Sequence, residues 1–111
     1  MKGYLWPAAA AEPQPMLTHL APWEAIAIDA VGNVIEFWGF KRNQGRVWAL
    51  LYLRDATLTA AEIEHELQLS KGGVSMLLKD LERWSVIFRV RSPGDLAWRY
   101  RAETNLLKMA R

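Results

Sequence analysis

From Pro22 to Trp38 apolar side chains recur at three- and four-residue spacing: Trp23, Ile26, Ala27, Ala30, Val31, Val34, Phe37 and Trp38. That period predicts a helix, with Pro22 suited to its first turn and Gly39 to its end. Glu24, Asp29, Asn33 and Glu36 fill much of the remainder. So broad an apolar face on a short chain predicts that this helix meets a second helix or a subunit. After a polar linker, Lys41 to Gln44, the positions Val47, Trp48, Leu50, Leu51 and Leu53 predict a second helix over residues 45–53. Asp55, Ala56 and Thr57 read as a loop. Thr59 and Glu62 stand at the spacing of a capping box, in which each side chain accepts from the other residue's backbone N–H. The helix they open is expected to bury Ala60, Ile63 and Leu67 and to leave Glu62, Glu64 and Glu66 in water. Ser70 then caps a helix reaching Trp84, with Val74, Leu77, Leu78, Leu81 and Trp84 at core spacing.

Beyond Trp84 the period shortens to two. Val86, Phe88 and Val90 alternate with Ile87, Arg89 and Arg91, the pattern of a half-buried strand. Ser92-Pro93-Gly94-Asp95 is a turn signal. On the return, Trp98, Tyr100 and Ala102 alternate with Ala97, Arg99 and Arg101. Parity then predicts Arg89, Arg91, Arg99 and Arg101 on one face, with the aromatics packing inward. Two short helices, a tight turn and a hairpin make the expected fold mainly α with a small β-hairpin, a winged helix-turn-helix with an extra N-terminal helix. Residues 1–20, rich in Ala and Pro, read as a flexible arm. Residues 21–111 form the winged-helix domain, with helix 22–38 as a candidate dimerisation element and a C-terminal helix opening at Thr104 and running over 104–111.

Composition narrows the picture. At 111 residues and 51% hydrophobic content, one packed domain is expected and wholesale disorder is not. No apolar run reaches the roughly 18–20 residues needed to span a bilayer. The apolar N-terminus is broken by Pro7, Pro13 and Pro15, against the continuous apolar region of a signal peptide. The absence of cysteine fits a reducing cytoplasm. The net charge of +2 hides an asymmetry: residues 1–40 balance to −3 and residues 41–111 to +5. The basic surplus overlaps the helix-turn-helix and points to a polyanion.

On the helix opened by Ser70, one face carries Gly72, Ser75, Met76, Lys79 and Arg83. Small and polar groups near a helix N-terminus suit entry into a DNA major groove. Gly72 and Gly73 remove bulk where backbone N–H groups can meet a phosphate, at a cost in helix propensity of about 1 kcal/mol each in a helix interior and less in the first turn. Paired glycines also occur as packing spacers, and Met76 also fits a half-buried surface position. The expected contacts are Ser75 and Met76 at base edges, with Ser70, Lys71 and Lys79 on phosphates. Arg83, Arg89, Arg91, Arg99 and Arg101 add a second basic element, or else a solvated face paired with Glu82 or Glu103. Trp23, Trp38 and Trp48 are candidates for an aromatic cage around a quaternary ammonium effector, although tryptophan at helical spacing commonly serves as core.

An enzyme is not expected. The two histidines, His19 and His65, lie in separate segments. Glu62, three residues before His65, does not complete a metal-ligand set, and no nucleophile or phosphate-loop pattern occurs. No cofactor is implied.

The runs GRVWALLYL, LTAAEIEHELQLSKGGVSMLLKDLERW and VRSPGDLAWRYRAET resemble GbsR-type regulators of the MarR-like winged-helix superfamily, over Gly45 to Lys108. The resemblance implies a dimeric bacterial transcriptional regulator, usually a repressor. Its recognition helix enters the major groove of double-stranded DNA and its wing tracks the backbone; some members answer to small osmolytes. Gln68 and Ser85 stand where such proteins commonly have glycine at turns, which implies local strain or altered helix ends. Leu96-Ala97-Trp98 replaces a more charged wing tip, which implies weaker contact there. The short C-terminal helix implies either a truncated form or dimerisation, with itself or a partner subunit, through helix 22–38. The rival function is a winged-helix module that binds protein rather than DNA. Salt separates the two, because each neutralised phosphate releases counterions.

Overall fold

The structure, a computed structural model, describes residues 20–105. Four helices and three strands follow one another: α1 (Pro22–Phe37), α2 (Arg42–Arg54), β1 (Leu58–Thr59), α3 (Ala60–Leu67), α4 (Lys71–Arg83), β2 (Ile87–Val90) and β3 (Arg99–Ala102). The expected arm lies outside the described residues except for Leu20, which packs against the core. Thr104 and Asn105 are not helical, and the rest of the expected C-terminal helix lies outside the described residues. None of the described helices is long and apolar enough to cross a membrane.

The core is assembled from all four helices and from β2 and β3, with Leu58 of β1 packed against its edge. Ile28 comes from α1; Val47, Leu50 and Leu51 from α2; Ile63 and Leu67 from α3; Val74, Leu77, Leu78 and Leu81 from α4; Ile87 and Ala102 from the sheet. Burying a side chain of this size contributes about 1.5–3 kcal/mol. The expected core spacing of α4 holds except at Trp84, which is exposed and meets Phe40 edge-on at 5.4 Å.

Two helices differ from expectation. α2 starts at Arg42, not Gly45, because Gln44 Oε1 accepts from the Lys41 N–H at 2.8 Å and caps the turn. α1 turns much of its expected stripe outward: Trp23, Ile26, Val34, Phe37 and Trp38 are exposed, while Val31 packs against the core and Ile28 and Gly32 are buried. Close approach decides the orientation. A Cβ on Gly32 would stand 2.9 Å from Arg46 Cγ, and one on Gly45 would stand 2.8 Å from Ile35 Cγ1. Ion pairs hold the joint at its sides, Asp29 with Arg46 at 3.2 Å and Glu24 with Arg54 at 3.1 Å. Arg54 also reaches Glu66 at 3.6 Å. Glu66, expected in water, is thus only 7% exposed, with a guanidinium offsetting part of its desolvation.

The ends of α1, α3 and α4 follow one scheme. Gly39, Gln68 and Ser85 have φ of 96°, 56° and 61°, and the next residue's N–H returns to the carbonyl five back: Phe40 to Ile35, Leu69 to Glu64, Val86 to Leu81. Gln68 and Ser85 therefore hold left-handed backbone without glycine, the local strain expected at those turns. At the other end of α3, Thr59 Oγ1 accepts from the Glu62 N–H at 3.1 Å and Glu62 Oε1 from the Thr59 N–H at 2.8 Å, the expected capping box.

The hairpin gains a third strand. β1 pairs with β3, Leu58 opposite Tyr100, giving the antiparallel order β1-β3-β2. Two residues are too few for a period-two signal, and the sequence pattern shows Thr59 only as a helix cap.

Candidate nucleic-acid interface

Ser70 Oγ accepts from the Gly73 N–H at 3.0 Å and starts α4. From that cap, the helical period puts Lys71, Gly72, Ser75, Met76, Lys79 and Arg83 in solvent, opposite the buried Val74, Leu77, Leu78 and Leu81. Ser70 and Gly73 are exposed as well. Among the described residues a Cβ on Gly72 would meet nothing within 4 Å, so this glycine spaces none of them from a packed neighbour. Met76 is 62% exposed rather than half-buried. Arg83 is held by Asp80 on the same helix at 2.7 Å, and Asp80 also accepts from Gln44 Nε2 of α2 at 3.0 Å.

The register of the hairpin corrects its expected polarity. Ile87 pairs with Ala102, Phe88 with Arg101, Arg89 with Tyr100 and Val90 with Arg99. Directly opposed residues share a face. Arg89 therefore lies with Tyr100, Ile87 and Ala102, while Arg99 and Arg101 lie on the other face with Phe88 and Val90. Ile87 is the buried member of β2, and Phe88, expected inward, is exposed. The alternation within each strand holds; the relative register of the two strands differs from expectation, because the loop over residues 91–98 that joins them does not by itself set it.

The two faces have different surroundings. Arg101 pairs with Asp55 at the end of α2, at 2.9 Å, and Arg99 with Glu62 in the first turn of α3, at 3.6 Å. On the face that borders α4, Arg89 Nε reaches Glu82 Oε2 at 2.9 Å. Arg89 and Arg91 both lie over the Trp98 ring, 4.6 and 4.4 Å from its centroid. Exposed ion pairs of this kind contribute only about 0–1 kcal/mol each, so a polyanion can compete for their arginines. Among the described residues Lys71, Lys79 and Arg91 have no carboxylate partner.

A cleft of about 420 Å³ runs between α3, α4 and the hairpin. Lys71, Ser75 and Lys79 line it from α4, Arg89 and Tyr100 from the hairpin, with Glu64 and Glu82. Four expected contact residues thus converge, and Arg99 and Arg101 stand apart. Sequence reasoning had placed Tyr100 only as an inward aromatic. Burial first, then the nearby Glu82, raise its phenol pKa, and Arg89 partly offsets them, so the group is a neutral donor. The tryptophan cage does not form. Trp23 and Trp38 sit at opposite ends of α1, about 22 Å apart at 1.5 Å rise per residue, and both are exposed. Trp48 stacks on Tyr52 at 5.0 Å. It also lines an apolar cavity of about 300 Å³ with Phe40 and Trp84.

This geometry has relatives. The sequence profile of the MarR family matches residues 38–96, just over half of the chain. The HTH-type transcriptional repressor GbsR of Bacillus subtilis (strain 168) is 28% identical over 83 residues, covering 75% of this chain and 46% of that protein. A crystal structure of a transcriptional regulator superposes with a TM-score of 0.72 at 24% identity, covering 78% of this chain and 59% of the other. The S. aureus MepR–DNA complex superposes with a TM-score of 0.57 at 25% identity, covering 78% and 63%. The chain therefore spans about half the length of the curated relative and about three-fifths of these two solved chains. The shared fold is the winged helix with its mainly helical frame.

Proposed function

The chain belongs to the MarR family, and on that premise we propose that it is a DNA-binding transcriptional regulator, a repressor acting in the bacterial cytoplasm rather than an enzyme. The observation that carries this is the outward face of α4. Small, polar and cationic side chains stand there together, free of core packing, beside a cleft shared with the hairpin. In this assignment Ser75 and Met76 meet base edges, where short side chains read modestly and DNA shape supplies further discrimination. Ser70, Lys71, Lys79 and the N–H groups at Gly72 and Gly73 meet phosphates. Arg89 and Arg91 extend the contact along the backbone from the hairpin. Arg83, Arg89, Arg99 and Arg101 each hold a carboxylate with which a phosphate must compete, and Arg99 and Arg101 also stand on the other face of the hairpin.

Dimerisation is assigned to α1. Phe37 is 86% exposed, and Trp23, Ile26, Val34 and Trp38 share its exposure, an apolar surface of the kind a second copy covers. The cavity bounded by Phe40, Trp48 and Trp84 suits a small apolar effector and touches α1, α2 and α4 together. The GbsR relative is a repressor and MepR is solved on DNA, which supports the same assignment.

The test is a gel shift against the DNA upstream of the protein's own coding region at two salt concentrations, with mass measured in solution. Binding that weakens steeply with salt, by a twofold-symmetric particle, is expected. Absent binding would refute the regulator; capture of a protein partner with no response to salt would favour the protein-binding module.

A further inference from the structure

Where relatives were expected to have a charged wing tip, this chain has Leu96-Ala97-Trp98, and the structure gives the tryptophan a task. The guanidinium of Arg89 lies 4.6 Å from its ring centroid and that of Arg91 lies 4.4 Å from it. Two cationic centres are thus held within about 9 Å of each other, near the Debye length of about 8 Å at physiological ionic strength, on the face that borders α4. Two like charges sharing one ring repel, and the negative face of the indole offsets part of that repulsion. Arg89 is tied further to α4 through Glu82 at 2.9 Å. Arg91 has no carboxylate partner among the described residues. The cluster therefore keeps an unneutralised positive charge in a fixed place.

We propose that Trp98 is a positioning residue for DNA backbone binding: its indole presets Arg89 and Arg91 so that both engage one stretch of phosphates beside α4. The inference rests on the DNA-binding assignment above. A free arginine loses substantial rotamer freedom when it docks, and a side chain already held over a ring loses less. Trp98 supplies order where a charged tip would supply charge. Arg89 and Arg91 are themselves exposed, which leaves their guanidinium edges open to an incoming phosphate.

Phosphate contacts are independent of sequence, so a mixed-sequence duplex of about 30 base pairs serves as the probe, with fluorescence anisotropy as the readout. Trp98→Phe keeps an aromatic face and is expected to bind within about twofold of the wild type. Trp98→Leu keeps apolar bulk without that face and should bind about fivefold to tenfold more weakly, as should Trp98→Ala. In an Arg89→Ala/Arg91→Ala background, Trp98→Leu should have no further effect, since the groups it positions are gone. Circular dichroism on each variant confirms the fold. Equal affinity of the Leu and Phe variants overturns the positioning role, as does a Leu penalty that persists without the two arginines. Wild-type protein that ignores the duplex, or binds it without regard to salt, removes the DNA-binding premise and this inference with it. Steep salt dependence with equal Leu and Phe variants removes the inference alone.

Discussion

At the α1–α2 joint a Cβ on Gly45 would stand 2.8 Å from Ile35 Cγ1, whereas on α4 a Cβ on Gly72 would meet nothing within 4 Å. Both glycines lie inside helices and carry the same kind of propensity penalty. At the joint, the missing side chain allows two helices to approach and guanidinium–carboxylate pairs to close over the contact. On α4 none of the described residues occupies the space, and the flanking groups are Lys71, Ser75 and Lys79. The contrast separates a glycine that packs from one that leaves room. A glycine whose own fold makes no use of its small size is the stronger pointer to an external backbone.

The comparison can be broken at several points. Gly45→Ala has the largest expected effect: overpacking against Ile35 should lower stability by about 1–3 kcal/mol, more than the helix-propensity gain of up to about 1 kcal/mol returns. Urea melts measure it, and a variant as stable as the parent would show that the joint is loose. Lys79→Ala should leave the melts unchanged while weakening duplex binding about fivefold near 0.15 M salt. The log–log salt slope should become shallower by about one. Gly72→Ala should raise thermal stability slightly, by less than about 1 kcal/mol, while DNA affinity falls as the new methyl group holds the phosphate off. Unchanged affinity would remove Gly72 from the DNA contact. The smallest effect is expected at the turn joining α4 to the hairpin. Ser85→Gly should stabilise by about 0.5–1 kcal/mol, because glycine accepts φ of 61° without the penalty that serine meets there. A destabilised Ser85→Gly protein would mean that serine's lower unfolded-state entropy outweighs that strain.

The positions that periodicity places well are those where one element decides its own environment. α4 has a single apolar stripe, so Val74, Leu77, Leu78 and Leu81 go inward and Lys71, Ser75 and Lys79 outward whatever surrounds them. The capping box at Thr59 and Glu62 and the cap at Ser70 are local bonds and were equally plain. α1 is the counterexample. It is apolar on two sides, and Ile28 and Gly32 rather than the broader stripe face α2, because glycine contact and ion pairs across the joint outweigh the count of hydrophobic positions.

The chain's own order of residues determined the helix-turn-helix, the existence of a hairpin and the polar outer face of α4, since these rest on bonds and periods within a few residues. Tertiary structure alone decided that Arg89 and Arg91 share a face with Tyr100 while Arg99 and Arg101 turn away, and that β1 joins the sheet. It alone brought Glu82, Trp98 and two arginines into one cluster. Register between strands and contacts across them depend on which partners meet, and a periodic pattern along one strand carries no record of the strand beside it.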